Sequence, residues 1–243
     1  NDAWYNTLIS IKQNSSENAI ITSWWDFGHH FKAIADRPVT FDGTTQTFPP
    51  AHWVGKLLMT GSEAESIGIL RMLDCGSNNA YSAIYEANKD IHLSLKTLNE
   101  IIVLDKKGAE KKLNGYGINE KQIGKILSFT HCSQPEAFFI ASEDMIGKSG
   151  VWSHFGSWNF ERADIWQNAR KMPQEKAVEY MMKKFSYTKK RAEGIYFEVQ
   201  AITSDNEANA WVAPWPGYGG TTSCSKNSQG IYACGNGLQI NLS

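Results

Sequence analysis

Two tryptophans stand side by side at positions 24 and 25, and an aspartate, a phenylalanine and a glycine follow at once. No other stretch limits the fold as tightly. Adjacent indole rings need a walled corner to pack in, and the carboxylate after them needs polar partners in that corner. Upstream, Ala19-Ile20-Ile21-Thr22 is apolar and β-branched, which predicts a short buried strand. Gly28 can take backbone angles closed to other residues, so the strand is expected to break there. From His29 to Ala35 the spacing is helical, with Phe31, Ile34 and Ala35 inward. Asp26 is thereby placed at a strand end before a helix, where backbone and indole N–H groups can surround a small polar guest. The competing reading makes Asp26 a helix cap in an aromatic core corner.

A similar device recurs downstream. Ala137-Phe138-Phe139-Ile140-Ala141 predicts a second buried strand and leads to Asp144 at a turn or helix start. Asp144 and Lys148 are four apart and share one helical face, a spacing that by itself describes a solvated ion pair. Gly147 and Gly150 favour a kink in such a helix.

Elsewhere the pattern is mostly helical. A first helix runs from Asp2 to about Lys12, with Trp4, Leu8 and Ile11 on one face. Val39-Thr40-Phe41 reads as a short strand before the turn Asp42-Gly43-Thr44-Thr45. Pro49-Pro50 opens a helix towards Leu58 or Met59 that turns Trp53, Leu57 and Leu58 inward. Ser62 with Glu65 forms a capping box before the stripe Ile67, Leu70 and Leu73. A helical pattern extends from Asn79 to Leu98, and Asn119 caps another helix ending near Phe129. Helices are expected over 175–185 and 189–192. From Ile195 the chain alternates like strands and then becomes rich in Gly, Ser, Thr and Asn. The fold class is therefore α+β, with a helix-rich core over residues 1–191 and a smaller β-rich portion over 192–243.

With 24 basic against 25 acidic residues among 243, the net charge of −1 gives no field to gather nucleic acid. No apolar run reaches the roughly 20 residues of a membrane-spanning helix, which predicts a soluble unit. The chain opens on Asn1, not Met, and reads as part of a longer protein. Cys75, Cys132, Cys224 and Cys234 permit three pairings. Cys224 and Cys234 flank a polar loop, which favours a 224–234 bridge across a hairpin and leaves Cys75 with Cys132. Disulfides suit an oxidising compartment. A zinc site is the competing use of these cysteines and ranks lower, because no Cys-x-x-Cys spacing exists.

Trp24-Trp25-Asp26-Phe27-Gly28 resembles the WWDYG signature of oligosaccharyltransferase catalytic subunits, with Phe27 for the usual tyrosine. Ala35-Asp36-Arg37-Pro38 is similar to the stretch that follows it in that family. The segment holding Asp144, Met145, Ile146 and Lys148 resembles the short kinked helix that lies beside WWDYG there, the DK motif. It departs in register, since the family's lysine comes three residues after the aspartate.

The resemblance implies that the chain is the soluble C-terminal domain of an archaeal-type enzyme. That enzyme transfers a lipid-linked oligosaccharide to Asn in Asn-x-Ser/Thr, on the extracytoplasmic face of a membrane. It implies that Trp24, Trp25, Asp26, Phe27 and Gly28 bind the acceptor polypeptide together with Asp144, Met145, Ile146 and Lys148. The catalytic acids and a divalent cation, Mn or Mg, are implied to belong to a membrane portion absent from this sequence. No cofactor is then expected within these residues, and the domain alone is expected to be inactive. The chemistry suits the side chains. An ionised Asp26 only accepts hydrogen bonds and can receive a hydroxyl proton, while indole N–H groups only donate and can satisfy the hydroxyl oxygen. An aliphatic side chain such as Ile146 can contact the methyl of threonine.

Two readings compete. A Trp-rich carbohydrate-binding module would use Trp152, Trp158, Trp211 and Trp215 as stacking rings. A hydrolase would pair Asp26 or Asp144 with a neighbouring histidine.

Overall fold

A computed structural model of the chain describes residues 2–46, 49–214, 224–228, 231–234 and 239–241. Helix α1 (Asp2–Asn14) buries Leu8 and Ile11 and leads to strand β1 (Ile20–Thr22). The strand ends at Thr22. A single 3-10 turn over Trp25–Phe27 then feeds α2 (Gly28–Ala35), whose buried residues include Phe31 and Ala35.

The break expected at Gly28 is therefore not what the glycine provides. Its φ of −55° and ψ of −44° are ordinary right-handed helix. The glycine is needed for space: a Cβ there would lie 2.6 Å from Asp42 Cβ and 2.7 Å from the Phe41 carbonyl oxygen. Asp26 is not a helix cap either, since no side chain caps the 3-10 turn or α2.

Helix α2 closes on Asp36 in the left-handed region at φ 54°. The buried Arg37 guanidinium donates to the Lys12 and Ser15 carbonyls, each at 2.8 Å, and to Ser15 Oγ at 3.1 Å. The stretch after the aromatic motif thus ties the end of α1 to the end of α2. The strand expected at Val39 is one parallel bridge to Ile21.

Six helices build the main core: α3 (Pro49–Met59), α4 (Glu63–Gly76), α5 (Asn79–Asn88), α6 (Ile91–Ile102), α7 (Lys106–Gly115) and α8 (Glu120–Thr130). Ser62 and Asn119 cap α4 and α8 through the Glu65 and Gln122 amides. The helical run expected from Asn79 to Leu98 is two helices. Lys89 takes φ 58°, and the Asp90 carboxylate accepts the Leu93 amide at 2.8 Å to start α6. In α4 the inner face differs from the expected stripe: Ile67 is 52% exposed while Gly68, Ile69, Met72 and Leu73 are buried. A Cβ on Gly68 would lie 2.2 Å from the Ile102 carbonyl oxygen, so the close crossing of α4 and α6 fixes the rotation. The disulfide Cys75–Cys132, with Cα atoms 5.7 Å apart, joins the ends of α4 and α8.

Strand β2 (Ala137–Phe139) pairs in parallel with β1, Thr22 opposite Phe139. It was expected to be buried, yet Ala137 and Phe139 are exposed and only Phe138 is half-buried. The reason is its position at the sheet edge. Phe138 and Ile140 pack with α1 and α2, while Ala137 and Phe139 on the opposite side stay exposed.

Helices α9 (Asp144–Gly147) and α10 (Ser149–Gly156) follow, with the kink at Lys148. A second core gathers Ile165 from α11 (Phe160–Gln167), Ala177 and Met181 from α12 (Gln174–Phe185), Val199 from α13 (Lys189–Ala201) and Ala208 from α14 (Asp205–Val212). The strands expected from Ile195 are thus helix, and the helical part runs through residue 191. Ala192, Ile195, Tyr196 and Val199 recur at helical spacing on the packed side, and Thr188 caps α13 by accepting the Arg191 amide. Strands come later, as the antiparallel order β3 (Cys224–Lys226), β4 (Ile231–Cys234) and β5 (Gln239–Asn241). Cys224 is disulfide-bonded and stands opposite Cys234 in the β3–β4 register. The fold is α+β and dominated by helices.

Candidate functional site: a lysine shared by two carboxylates

The parallel pairing of β1 and β2 builds the site. Two parallel strands end at the same edge of their sheet, so the segments that leave them emerge together. Beyond Thr22 the chain turns through Trp25–Phe27, and beyond its partner Phe139 it enters α9. Asp26 and Asp144 are delivered to one place. Lys148 stands between them, its Nζ 3.0 Å from Asp26 Oδ1 and 2.7 Å from Asp144 Oδ2. The same ammonium lies 5.3 Å from the centre of the Phe27 ring, a cation–π distance.

The second oxygen of Asp26 is the unusual atom. Oδ2 is shielded from solvent and has no hydrogen-bond partner. Asp144 is better served, since its Oδ1 accepts the Ser142 hydroxyl while Oδ2 accepts Lys148. Burial works against ionising Asp144, but the hydrogen bonds from Lys148 and Ser142 outweigh it, and its pKa lies below the ordinary value. For Lys148, burial opposes the charge, yet the two carboxylates prevail and its pKa is raised. The Asp144–Lys148 pair is therefore ionised over the neutral range.

The residues singled out in the sequence divide into two groups. Trp24 is 2% exposed and packs edge-on against Phe41 at 5.5 Å and near Phe155 at 6.1 Å, so its ring serves the core. Phe27 packs on Trp4 at 5.2 Å and on Phe31 at 6.3 Å. Met145 is buried, its sulfur accepts the Ser142 amide, and its carbonyl accepts the Trp152 indole N–H at 2.8 Å. These three are packing residues. Gly28 is buried, and Trp25, Asp26, Asp144, Ile146 and Lys148 are half-buried, with Trp25 also packed against the main core. On the α9 segment Met145 packs inward, Lys148 pairs with the two carboxylates, and Ile146 keeps part of its surface.

The tryptophans of the carbohydrate reading do not form one set. Trp152 and Trp211 belong to the two different cores, Trp158 packs edge-on against His154, and Trp215 lies outside the described residues. The histidines nearest to carboxylates face other ones: His29 lies 3.6 Å from Asp42 and His92 lies 3.4 Å from Asp164. Among the described residues no group of three or more His, Cys, Asp or Glu side chains is arranged to hold a metal ion. No described helix is long and apolar enough to cross a membrane.

One participant was missed. Asp42 read only as a turn residue, yet it is 4% exposed and lies directly behind Gly28. The signal was present in Asp-Gly-Thr-Thr, a sequence that favours an aspartate accepting hydrogen bonds from the residues just after it.

Comparison of the sequence with known proteins gives several relatives. The chain is 36% identical over 167 residues to a dolichyl-phosphooligosaccharide-protein glycotransferase of Methanococcus voltae, and 37% identical over 166 residues to the protein of that name from Methanocaldococcus jannaschii. A shorter match, 33% identical over 69 residues, is to a dolichyl-phosphooligosaccharide-protein glycotransferase 2 of Pyrococcus furiosus, covering 28% of this chain and 9% of that protein. These relatives are protein glycosyltransferases by name. Over about two thirds of its length the chain is similar to archaeal dolichyl-phosphooligosaccharide-protein glycotransferases. Each of the two longer matches covers 66% of this chain, which spans 18% of the length of those relatives. No protein-family profile matches the chain, and no solved structure does.

Proposed function

We propose that this chain is the part of a membrane oligosaccharyltransferase that reads the acceptor polypeptide. In this reading Asp26 recognises the hydroxyl two residues beyond the acceptor asparagine in Asn-x-Ser/Thr. The observation that carries it is the split use of the Asp26 carboxylate, Oδ1 on Lys148 and Oδ2 shielded without a partner. An unpaired buried acceptor costs on the order of 1–3 kcal/mol, and a ligand hydroxyl donating to it removes that cost. The last torsion of an aspartate is soft, so a small carboxylate rotation presents Oδ2 to an entering group. A half-buried Trp25 indole supplies a donor for the hydroxyl oxygen. Ile146 gives the threonine methyl an apolar contact worth about 1 kcal/mol, so threonine is preferred to serine only modestly. The lipid-linked oligosaccharide, the divalent cation and the catalytic acids are assigned to the rest of the whole enzyme, with this unit on the extracytoplasmic face.

The test is oligosaccharide transfer by membranes carrying the full-length protein, using a lipid-linked donor and a fluorescent Asn-x-Thr peptide. Transfer is expected for wild type and lost both in Asp26→Ala and when the peptide threonine is replaced by valine. A site built around a hydroxyl rejects the analogue lacking it by several orders of magnitude. A folded Asp26→Ala protein with normal transfer would overturn the reading.

A further inference from the structure

The loop over residues 41–45 lies against Trp24, Trp25 and Gly28 of the aromatic motif. The Phe41 ring packs edge-on against Trp24 at 5.5 Å. Gly43 approaches the Trp25 ring, so that a Cβ there would lie 4.0 Å from it. Behind Gly28 the Asp42 backbone and Cβ leave no room for a side chain. Asp42 is the centre of these contacts. Its Oδ1 accepts the Thr44 amide at 3.0 Å and the Thr44 hydroxyl at 2.6 Å, and its Oδ2 accepts Lys32 Nζ at 2.9 Å with His29 Nδ1 3.6 Å away. Its own amide donates to Thr45 Oγ1 at 3.0 Å. One carboxylate therefore fixes the loop to itself through Thr44 and fixes α2 to the loop through Lys32. The Thr44 and Lys32 hydrogen bonds outweigh burial and keep this group ionised far below the ordinary carboxylate range.

We infer that Asp42 is a positioning residue for the acceptor site: its carboxylate clamps the loop over residues 41–45 against α2 and so sets where the Trp25–Phe27 turn holds Asp26. The inference rests on the acceptor-reading function proposed above. Asp42 does not touch the ligand; it acts through Gly28 and Trp25. A group held by such a clamp moves when the clamp loosens, and an ångström-scale shift at a binding group is enough to weaken recognition substantially.

The experiment uses Asp42→Asn, which keeps shape but removes the charge facing Lys32, and Lys32→Met, which removes the other partner from a largely exposed position. Full-length protein in membranes is assayed for transfer to the Asn-x-Thr peptide. The same variants, labelled with 5-fluorotryptophan, are examined by fluorine NMR, the Trp25 signal being assigned with Trp25→Phe. Both variants are expected to raise the peptide KM by about tenfold with little change in kcat, and to shift the Trp25 signal without peptide. An unchanged KM, where Asp26→Ala abolishes transfer, overturns the inference. A loss confined to kcat overturns it too. If Asp26→Ala transfers normally, the acceptor reading fails separately. The peptide-free Trp25 signal then decides whether Asp42 holds the turn: a shift supports the clamp and an unmoved signal overturns it. If Asp42→Asn does not fold, Lys32→Met carries the same comparison.

Discussion

Replacing Lys148 by methionine removes the only cation within ion-pair distance of both Asp26 and Asp144 among the described residues, while keeping most of the apolar stem. Lys148 and Asp144 are each 34% exposed and Asp26 is 22% exposed, so both pairs are partly screened. At roughly 0.2–1 kcal/mol for each pair, the loss is about 1 kcal/mol, and mutual repulsion of the carboxylates left behind brings it to about 1–2 kcal/mol. In a chain of this size that lowers the melting temperature by about 3–6 °C. The pH dependence is the sharper test. Asp144 has a folded pKa below its ordinary value, so its contribution is present above about pH 4 and is lost as the pH falls through the folded pKa. Lys148 has a folded pKa above its ordinary value, so its contribution is present below about pH 10 and is lost as the pH rises through the folded pKa. Thermal melts of wild type and Lys148→Met should therefore differ most between about pH 5 and 10 and converge in acid. An equal difference at neutral and acid pH, or none at neutral pH, would refute the ion-pair account. Packing of the lysine stem would then be what matters.

Asp74 offers a contrasting titration. Burial pushes its pKa up to about 6 against a weak hydrogen bond from Gln134, and its Oδ1 is buried without a partner. A raised acid is neutral in the fold at low pH and loses stability as the pH rises from about 4 through 6. Asp74→Asn should gain about 1–2 kcal/mol at pH 7.5, with the gain fading towards pH 4 in urea unfolding; a pH-independent difference would contradict this. Two glycines separate space from flexibility. Gly28→Ala meets Asp42 and Phe41 and should cost about 1–3 kcal/mol in the same assay. Gly124→Ala lies in α8 with no atom within 4 Å of the new Cβ and should stabilise by up to about 1 kcal/mol. Similar effects from both would mean that the close approach at Gly28 is not limiting.

What was legible in the sequence was local. Ser62 and Asn119 announced their helices because an N-cap acts within three residues, and the inward faces of α1 and α2 followed from spacing alone. What failed depended on partners distant in sequence. Ile67 belongs to an apolar stripe, yet the crossing of Gly68 over the Ile102 carbonyl turns it outward. The Ile195–Val199 stretch alternates well enough for a strand, but its packing partners lie in other helices and select the helical period. The site shows both behaviours in one residue. Four-residue spacing correctly predicts that Lys148 pairs with Asp144, and that pairing alone would mark a solvated surface helix. The third member, Asp26, arrives only through the parallel register of Thr22 with Phe139, which no local pattern encodes. The bland and the functional readings of Lys148 are therefore not alternatives. The local ion pair orients the ammonium, and the tertiary pairing uses it to occupy one oxygen of Asp26 while the other stays buried without a partner.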